Sequence, residues 1–534
     1  LHRFRTSGLS NRFVFGVHVH QPVGSFDHVF AEHARDVYHP LVAQLTRRRL
    51  TPALLHISGP LLEWLEAHDT PLIDRIGRLV ADGAVELLLS GMYEPILAAI
   101  PRADRAQQIA WHREALRARF GVAGAGLWLT ERVWEPELAF DLAKAGVEYV
   151  LVDDRHFLVS GFRRDELHVP FRTESDGKAV SVLAIDERLR HLIPFKAPAE
   201  IEQYFREAHA ASLPLAVFAD DGEKFGGWPG THKWVYERGW FDQFCDMLDR
   251  LQDEGIVRLS TGHEAVTAVP CRGPVYLPTA SYQEMEGWAL PPDAGRRLAA
   301  LEHDLGAERM AGPDRSLVRG AHWRNFLVKY PESNRLQKKM AALSALSRVR
   351  GDPRNARRAI ARAQCNDAYW HGVFGGLYLP HLRSALWREL SAAERALRAG
   401  EALGVETGDY DCDGADEVWI HSGAFSAMIA PARGGALVEL TRFDAAINYA
   451  DVLTRRLEAY HLPPRLGAGA GASAGAVSIH DREALLGLAA TPPIDHDDRA
   501  IGVARVIAAG VTAAQYEATA YAPVTSWART RFAV

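Results

Sequence analysis

The first 260 residues alternate short apolar segments with longer amphipathic ones, and this alternation constrains the fold more than any other feature. Eight segments read as strands: 13–17, 52–57, 85–89, 126–129, 147–152, 180–185, 215–219 and 256–259. Helix-length segments separate many of them, at 27–49, 61–80, 104–120 and 234–254. A strand-then-helix rhythm predicts a parallel sheet, and seven or eight strands in one series favour a closed or nearly closed α/β barrel over an open sheet.

The pattern changes twice after the barrel. Strand signals stop between about residues 291 and 400, where Arg/Ala/Leu-rich segments such as 333–350 and 353–364 indicate helices. Short β-like segments separated by Gly and Pro then indicate a sandwich-like β domain; they are residues 417–421, 424–430 and 436–441. We therefore expect a barrel at 1–290, a helical region at 291–407 and a β domain at 408–534.

A segment of the predicted β domain, residues 467–476, consists almost entirely of Gly, Ala and Ser. Such a composition predicts a flexible loop, because it offers few side chains that can pack.

Composition limits which classes of binding partner and which cellular compartment we expect. A net charge of −6 argues against a nucleic acid or an anionic membrane as partner. The most apolar stretch, 83–100, is interrupted by Glu86, Glu94 and Pro95, so we expect no membrane span. The first ten residues lack the apolar core of a secretory signal, and the four cysteines form no CxxC pair. We therefore expect a cytoplasmic protein without disulfides.

Reactive side chains follow four of the predicted strands. The active groups of a βα barrel collect at the carboxyl ends of its strands. Those ends carry imidazoles, carboxylates and indoles, in the segments 18–22 (HVHQP), 86–95, 128–136 (WLTERVWEP) and 220–230 (DDGEKFGGWPG). Any one of them has a structural explanation, such as a helix cap, a core histidine or a packed tryptophan. Together they indicate glycoside chemistry, which needs a carboxylate pair and flat surfaces for sugars.

Metal binding is a competing interpretation. His18-x-His20 resembles the first ligands of a metal-dependent hydrolase barrel, but the later strand ends supply Glu, Asp and Trp instead of His and Asp. Segment 409–414 (DYDCDG) has the spacing that begins a calcium loop. Its twelfth position is Ile420 where such a loop has Glu, which favours a simple turn before a strand. We therefore expect no metal and no cofactor.

With these residues in view, the chain resembles glycoside hydrolase family 57, and within it the 4-α-glucanotransferase and α-amylase branch. Five ordered motifs carry the resemblance: 18–22, 85–95, 128–136, 220–226 and 276–282. Segments 329–334 and 369–376 are similar to the family's helical region, and 455–461 to its C-terminal β domain.

The resemblance implies a (β/α)7 barrel, a helical region that completes the cleft, and a C-terminal β-sandwich. It makes Glu131 the nucleophile and Asp221 the acid/base, with the adjacent Asp220 as the residue most easily confused with it. The positions that would line the sugar sites are His18, His20, Glu86, Trp128, Glu223, Trp228 and Trp370. After 478–481 the chain ends sooner than such enzymes do, which leaves the completeness and role of the sandwich open.

The implied reaction is a double displacement that retains the anomeric configuration, with the two carboxyl groups roughly 5–5.5 Å apart. We expect an α-1,4-glucan-active enzyme, foremost a 4-α-glucanotransferase that disproportionates maltooligosaccharides, with an α-amylase-type hydrolase as the alternative. A metal-dependent barrel hydrolase and a catalytically silent glucan-binding protein are the weaker alternatives. The expected partners are an α-glucan or maltooligosaccharide as substrate and acceptor, with no nucleic acid and no membrane. Formation of a homo-oligomer is open.

Overall fold

The structure is a computed structural model that describes residues 10–47, 49–461 and 492–532. The described chain divides into two compact units. The barrel unit comprises residues 10–287 and 298–323, and the C-terminal unit comprises 288–297, 324–461 and 492–532. The predicted loop at 467–476 and the segment 478–481 lie outside the described residues. The division into three domains stays a prediction.

Nine strands belong to the barrel unit: β1 (Asn11–Val19), β2 (Ala53–Ile57), β3 (Val85–Leu87), β4 (Gly126–Trp128), β5 (Tyr149–Asp153), β6 (Phe171–Ser175), β7 (Lys178–Ile185), β8 (Leu215–Asp221) and β9 (Val257–Leu259). Strands β3, β2, β1 and β8 form one parallel sheet, and β4, β5 and β7 are the parallel strands of a second. Strand β9 pairs with the first residues of β1.

Backbone hydrogen bonds join the two sheets into a ring. Leu89 N–H donates to Gly126 O (2.9 Å) and Trp128 N–H donates to Leu89 O (2.8 Å), which links the end of β3 to β4. On the other side, Asp186 N–H donates to Val217 O (2.9 Å), which links the end of β7 to β8. The seven parallel strands thus form a closed (β/α)7-type barrel, and the predicted fold is confirmed.

Strand β6 was not predicted from the sequence. It pairs antiparallel with β7, and the two are joined by Asp176 and Gly177, both of which have positive φ angles. An Asp-Gly pair in a two-residue loop is a strong hairpin signal, because both positions need a left-handed backbone.

Helices connect the strands: α1 (Asp27–His33), α2 (His39–Thr46), α3 (Gly59–His68), α4 (Thr70–Ala81), α5 (Arg102–Phe120), α6 (Leu138–Lys144), α7 (Arg155–Leu158), α8 (Glu187–Leu192), α9 (Pro198–Ala210), α10 (Trp240–Asp253), α11 (Gly262–Ala268), α12 (Gln283–Trp288) and α13 (Pro292–Ala311). Three of the predicted long helices are interrupted. The helix predicted at 234–254 is a π-helical turn, Lys233–Glu237, followed by α10 after Gly239, whose φ is +72°. A π-helical turn, Ala34–Tyr38, lies between α1 and α2. The helix predicted at 61–80 is α3 followed by α4.

The break between α3 and α4 follows from a capping residue. The carboxylate of Asp69 accepts a hydrogen bond from Leu72 N–H (3.3 Å), and Pro71 occupies the first turn, where a missing N–H costs nothing. The buried residues of α4 recur at helical spacing; they are Leu72, Ile73, Ile76, Leu79 and Val80. This apolar stripe fixes which face of α4 packs on the barrel.

An apolar cluster fills the barrel. Its buried members come from six of the seven strands and from α11; they include Val14, Leu54, Leu88, Trp128, Tyr149, Leu151, Leu183, Ile185, Val217 and Ala265. The cluster supports the strands, so the residues that follow their carboxyl ends are held by a packed core.

The C-terminal unit contains helices α14 (Asn325–Lys329), α15 (Pro331–Val349), α16 (Arg354–Ala363), α17 (Pro380–Leu397) and α18 (Ala513–Glu517). Its strands are β10 (Gly404–Gly408), β11 (Glu417–His421), β12 (Phe425–Ala430), β13 (Ala436–Arg442), β14 (Ile447–Asn448), β15 (Arg505–Val506) and β16 (Thr525–Ser526). Strands β10 to β14 form one antiparallel sheet in chain order, and β15 pairs with β16. Among the described residues, no helix is both long and apolar enough to cross a bilayer.

Candidate active site

Glu131 lies in a 3-10 turn, Thr130–Arg132, just beyond the carboxyl end of β4. Both Glu131 and Arg132 have a φ of +51°, a left-handed backbone that costs an L-residue roughly 1–2 kcal/mol. The turn is held by Ser281 Oγ, which donates to Glu131 O (2.5 Å), and by Arg132 N–H, which donates to Leu129 O (2.7 Å). The strained turn therefore presents a half-buried carboxylate at a fixed position.

Tyr282 supports the ionised form of Glu131. Its hydroxyl donates to Glu131 Oε2 at 2.7 Å, and the Arg132 guanidinium lies 4.4 Å from the centre of its ring. Burial, followed by the charge of Glu131, raises the pKa of Tyr282 well above its usual value, so the phenol stays a donor. A hydrogen bond donated to a carboxylate stabilises the charged form, which is the form that a nucleophile requires.

Asp220, near the end of β8, is a buried anion surrounded by cations. Its carboxylate accepts hydrogen bonds from Arg190 Nε (2.8 Å) and from Lys224 Nζ, and Arg132 Nη1 lies 3.7 Å away. Burial alone would raise the pKa of Asp220, but the charges of Arg190, Lys224 and Arg132 outweigh it and hold that pKa far below its usual value. Asp220 is therefore ionised at any working pH.

The pKa of Asp221, the last residue of β8, is shifted in the opposite direction. Burial, followed by the charge of Asp220, raises the pKa of its carboxyl group. Two adjacent carboxyl groups thus have pKa values moved in opposite directions, which is how proteins separate a proton donor from a permanent anion. The sequence left the choice between Asp220 and Asp221 open, and this contrast favours Asp221 as the proton donor.

Arg132 lies between Asp220 and the partner of Glu131. Its guanidinium contacts Asp220 on one side and the ring of Tyr282, the partner of Glu131, on the other. The structure places its ion pair on Asp220.

Histidines and a glutamate from neighbouring strand ends complete the cluster. His18 pairs in register with Asp221 across β1 and β8, and its ring stacks on Trp128 with centroids 4.5 Å apart. The backbone N–H of His20 donates to Glu223 Oε1 (3.2 Å). Burial, followed by the charge of Asp221, raises the pKa of Glu223. Four of the predicted sugar-site residues therefore lie around the candidate catalytic pair.

His56 and Glu94 belong to the same cluster, although the sequence analysis did not select them. His18 Nδ1 lies 2.6 Å from His56 Nδ1, His56 Nε2 lies 3.6 Å from Glu94 Oε2, and Thr130 Oγ1 donates to Glu94 Oε1 (3.0 Å). Glu94 is thus tied to the residue before Glu131. The motif 85–95 contained the signal, but Glu86 was chosen from it.

The structure does not bring Glu86 to this cluster. Its carboxylate accepts hydrogen bonds from Tyr149 O–H (2.8 Å), in the first residue of β5, and from His263 N–H (3.1 Å), in α11. Tyr149 is at the amino-terminal end of β5, away from the carboxyl ends of the strands. Glu86 lies within β3, whereas Glu94 lies beyond its carboxyl end. A sugar-binding role for Glu86 stays a prediction, and Glu94 is the glutamate of this motif that contacts His56 and Thr130 in the cluster.

The predicted tryptophan platforms are mostly packed. Trp128 and Trp228 are 3% and 5% exposed, and Trp228 stacks on Phe195 (5.8 Å). Trp370 belongs to the C-terminal unit, where it is half-buried and stacks on Trp288 (6.3 Å). A sugar-binding role for these indoles stays a prediction, and Trp128 acts here chiefly as a surface that holds His18.

A metal ion is the other group that His18, His56 and Glu94 could hold, because one ligand atom of each lies within 4.8 Å of the others. Two imidazole nitrogens on one tetrahedral zinc ion are about 3.4 Å apart, given bonds of about 2.1 Å. The Nδ1 atoms of His18 and His56 are 2.6 Å apart, which is the length of a hydrogen bond. Burial lowers the pKa of both rings, so they are neutral and one donates to the other.

Comparison with known proteins adds the family. The model of glycosyl hydrolase family 57 matches residues 14–278, and two models named for α-amylase/4-α-glucanotransferase, middle and C-terminal domains, match 321–397 and 409–534. An α-amylase of Pyrococcus furiosus is 43% identical over 472 residues, which are 88% of this chain and 70% of that protein. The chain belongs to glycosyl hydrolase family 57. It is an enzyme of the α-amylase/4-α-glucanotransferase kind.

Other relatives are named 4-α-glucanotransferase. A 4-α-glucanotransferase of Thermococcus kodakarensis is 43% identical over 470 residues, which are 88% of this chain and 70% of that protein. The crystal structure of 4-α-glucanotransferase from Thermococcus litoralis superimposes with a TM-score of 0.87 at 38% identity, covering 98% of this chain and 78% of that one.

Proposed function

We propose that this family 57 enzyme is a retaining 4-α-glucanotransferase that uses Glu131 as nucleophile and Asp221 as acid/base. The proposal rests on the different protonation of the two carboxyl groups. Tyr282 donates a hydrogen bond to Glu131, which favours its ionised form, and Asp221 has a raised pKa beside the ionised Asp220. The relatives named 4-α-glucanotransferase support the substrate, an α-1,4-glucan.

The first displacement forms a covalent intermediate. A carboxylate oxygen of Glu131 attacks the anomeric carbon while the bond from that carbon to the departing sugar breaks. Asp221 gives its proton to the departing oxygen, so a neutral hydroxyl leaves and a glycosyl ester of Glu131 remains. The second displacement reverses these roles: Asp221, now a carboxylate, takes the proton of the acceptor hydroxyl. The acceptor oxygen attacks the anomeric carbon, and the bond from that carbon to Glu131 breaks, which frees the Glu131 carboxylate. Two inversions retain the configuration.

The cations around Asp220 make both states of Asp221 accessible. As an acid, Asp221 is neutral beside one ionised carboxylate. As a base, it is a second anion next to Asp220, and the charges of Arg132, Lys224 and Arg190 then compensate the pair. His18 has Nδ1 occupied by His56, so only its Nε2 can face a sugar hydroxyl.

Hydrolysis is the second candidate function, because the Pyrococcus furiosus relative named α-amylase matches as well as the Thermococcus kodakarensis glucanotransferase. The two reactions share the first displacement and differ only in whether a sugar or water attacks the ester. An acceptor sugar that stacked on an exposed indole would favour transfer over hydrolysis. Trp128 and Trp228 are buried, so this argument for transfer is weaker.

Incubation with a single pure maltooligosaccharide, followed by chromatography of early products, separates the candidates. A transferase converts maltotetraose into a ladder that contains longer as well as shorter chains. Products that are only shorter, even at high substrate concentration, would establish the amylase instead. The Glu131→Gln variant serves as the blank, and an unchanged substrate with the wild-type enzyme would reject both functions.

A further inference from the structure

An acidic segment outside the active site has the make-up of a cation site. It follows β10 and comprises residues 409–417 (DYDCDGADE), which we call the acidic loop. The sequence argued against calcium because the twelfth position of the loop is Ile420. In the structure, the missing carboxylate comes from the ninth position: oxygen atoms of Asp409, Asp411 and Glu417 lie within 4.8 Å of one another.

The carboxylate of Asp411 is the observation that calls for a ligand. The residue is 4% exposed, and its Oδ1 atom is enclosed yet accepts no hydrogen bond from the described part of the chain. A buried carboxylate oxygen without a donor is costly, since it loses its water and gains nothing in return. Glu417 is equally enclosed, at 2% exposed. A cation between the two would supply the missing partner.

The protein's own positive charges do not fill this role. Arg433 Nη2 lies 3.7 Å from Asp413, and Arg433 also pairs with Asp498 (2.9 Å). The charges of Arg433 and Arg335 lower the pKa of Asp411, but burial, followed by the charge of Asp413, outweighs them and leaves that pKa raised. Burial, followed by the charge of Asp411, also raises the pKa of Glu417, to about 7.

The rest of the loop is already arranged around the carboxylates. Backbone N–H groups of Asp413 and Gly414 donate to the two oxygens of Asp409 (3.0 and 3.1 Å). Those of Tyr410 and Asp411 donate to Glu417 Oε2 (2.9 and 3.2 Å). The side chains of Asp409 and Glu417 therefore keep their places without an ion.

We propose that the acidic loop binds one Ca²⁺ ion through Asp409, Asp411 and Glu417. The ligand atoms are all carboxylate oxygens, which calcium prefers, whereas zinc prefers nitrogen and sulfur ligands. Calcium also accepts irregular coordination completed by carbonyls and water, whereas magnesium demands a near-ideal octahedron. Asn334 of α15 donates to Asp411 O (2.6 Å), so the loop that would hold the ion is already fastened to a helix of the same unit.

Calcium titration of the full chain after chelator treatment tests the proposal. We expect one ion per chain by calorimetry, with a Kd between about 10⁻⁷ and 10⁻³ M, the range of protein carboxylate sites. Tb³⁺ is the second probe, because Tyr410 and Trp419, with rings 5.1 Å apart, would sensitise its luminescence at this position. Calcium should displace the Tb³⁺ signal.

The variants Asp411→Asn and Glu417→Gln should each weaken calcium binding by at least about tenfold, since each removes one charged ligand. Asp444→Asn is the matched control, because Asp444 is an exposed carboxylate bonded to Arg442 in the same sheet. If Asp411→Asn does not fold, as judged by circular dichroism, Glu417→Gln and the wild-type titrations decide. Absence of calcium binding at millimolar concentration, or equal binding in the folded variants, would overturn the proposal.

Discussion

Replacing Asp220 by Asn should move the basic limb of the pH–rate profile to lower pH. Asp220 is a permanent anion whose charge helps Asp221 keep its proton. Its removal takes away that contribution and leaves Arg190 and Lys224 without their shared partner, so both changes stabilise the ionised form of Asp221. The pKa of the acid catalyst must therefore fall.

The size of the shift follows from the placement of the two residues. Carboxylates of adjacent residues at the end of a strand are roughly 6 Å apart, and an effective dielectric constant of about 20 gives an interaction of about 2.8 kcal/mol, or about 2 pKa units. Relaxation and water entry reduce this, so we expect a shift of about 1–2 pH units. Removing the buried charge that Lys224 and Arg190 share should also cost about 3–5 kcal/mol of unfolding free energy.

The assay is the pH dependence of kcat/KM on a maltooligosaccharide, with urea unfolding to confirm that the variant is folded. Asp153→Asn is the matched control, because Asp153 is buried and pairs with the same Arg190 (2.9 Å) but is not a cause of the raised pKa of Asp221. The control should lose stability with little change in the basic limb. An unmoved or raised basic limb in Asp220→Asn would refute the electrostatic account of the acid catalyst.

Further predictions concern residues that contact the catalytic pair. Tyr282→Phe removes the 2.7 Å bond to Glu131 and should lower kcat by about 10- to 100-fold, since a hydrogen bond to a charged group is worth about 1.5–3 kcal/mol; an unchanged kcat would contradict this. Glu94→Gln should lower kcat/KM by more than about 100-fold, whereas Glu86→Gln, bonded to Tyr149 and His263, should change it less than about fivefold; the reverse order in steady-state assays would restore Glu86 to the site.

The barrel could be predicted because its signals are local. Each strand from β1 to β5 and from β7 to β9 lies in a short apolar segment whose residues are mostly buried, apart from charged positions such as Glu86 and Arg258. Mostly apolar segments of this length are typical of the strands of a parallel sheet covered by helices. Strand β6 (FRTES) alternates and carries charges, so nothing in its composition marked it. Strand β10 is an edge strand with mostly exposed residues, which weakens the apolar pattern in the same way.

The site was predictable only in part, because its contacts join distant segments. Glu131 and Asp221 stand in recognisable motifs, but the contacts of Tyr282 with Glu131 and of Arg190 with Asp220 span 151 and 30 residues. Glu94 shows a subtler limit. It lies beyond the end of β3 in a loop where its φ is +52°, and only the folded loop turns it towards His56 and Thr130.

Trapping the covalent intermediate tests the central claim most directly. The ring fluorine of a 5-fluoro-α-glucosyl fluoride slows both displacements, but its anomeric fluoride is a good leaving group that keeps the first one fast. The glycosyl ester should therefore form faster than it is resolved. Intact-mass and peptide analysis should then show one fluoroglucosyl group on the peptide that contains Glu131, and none on the folded Glu131→Gln variant. Labelling of a different carboxylate, or undiminished turnover of maltooligosaccharides by Glu131→Gln, would contradict the account.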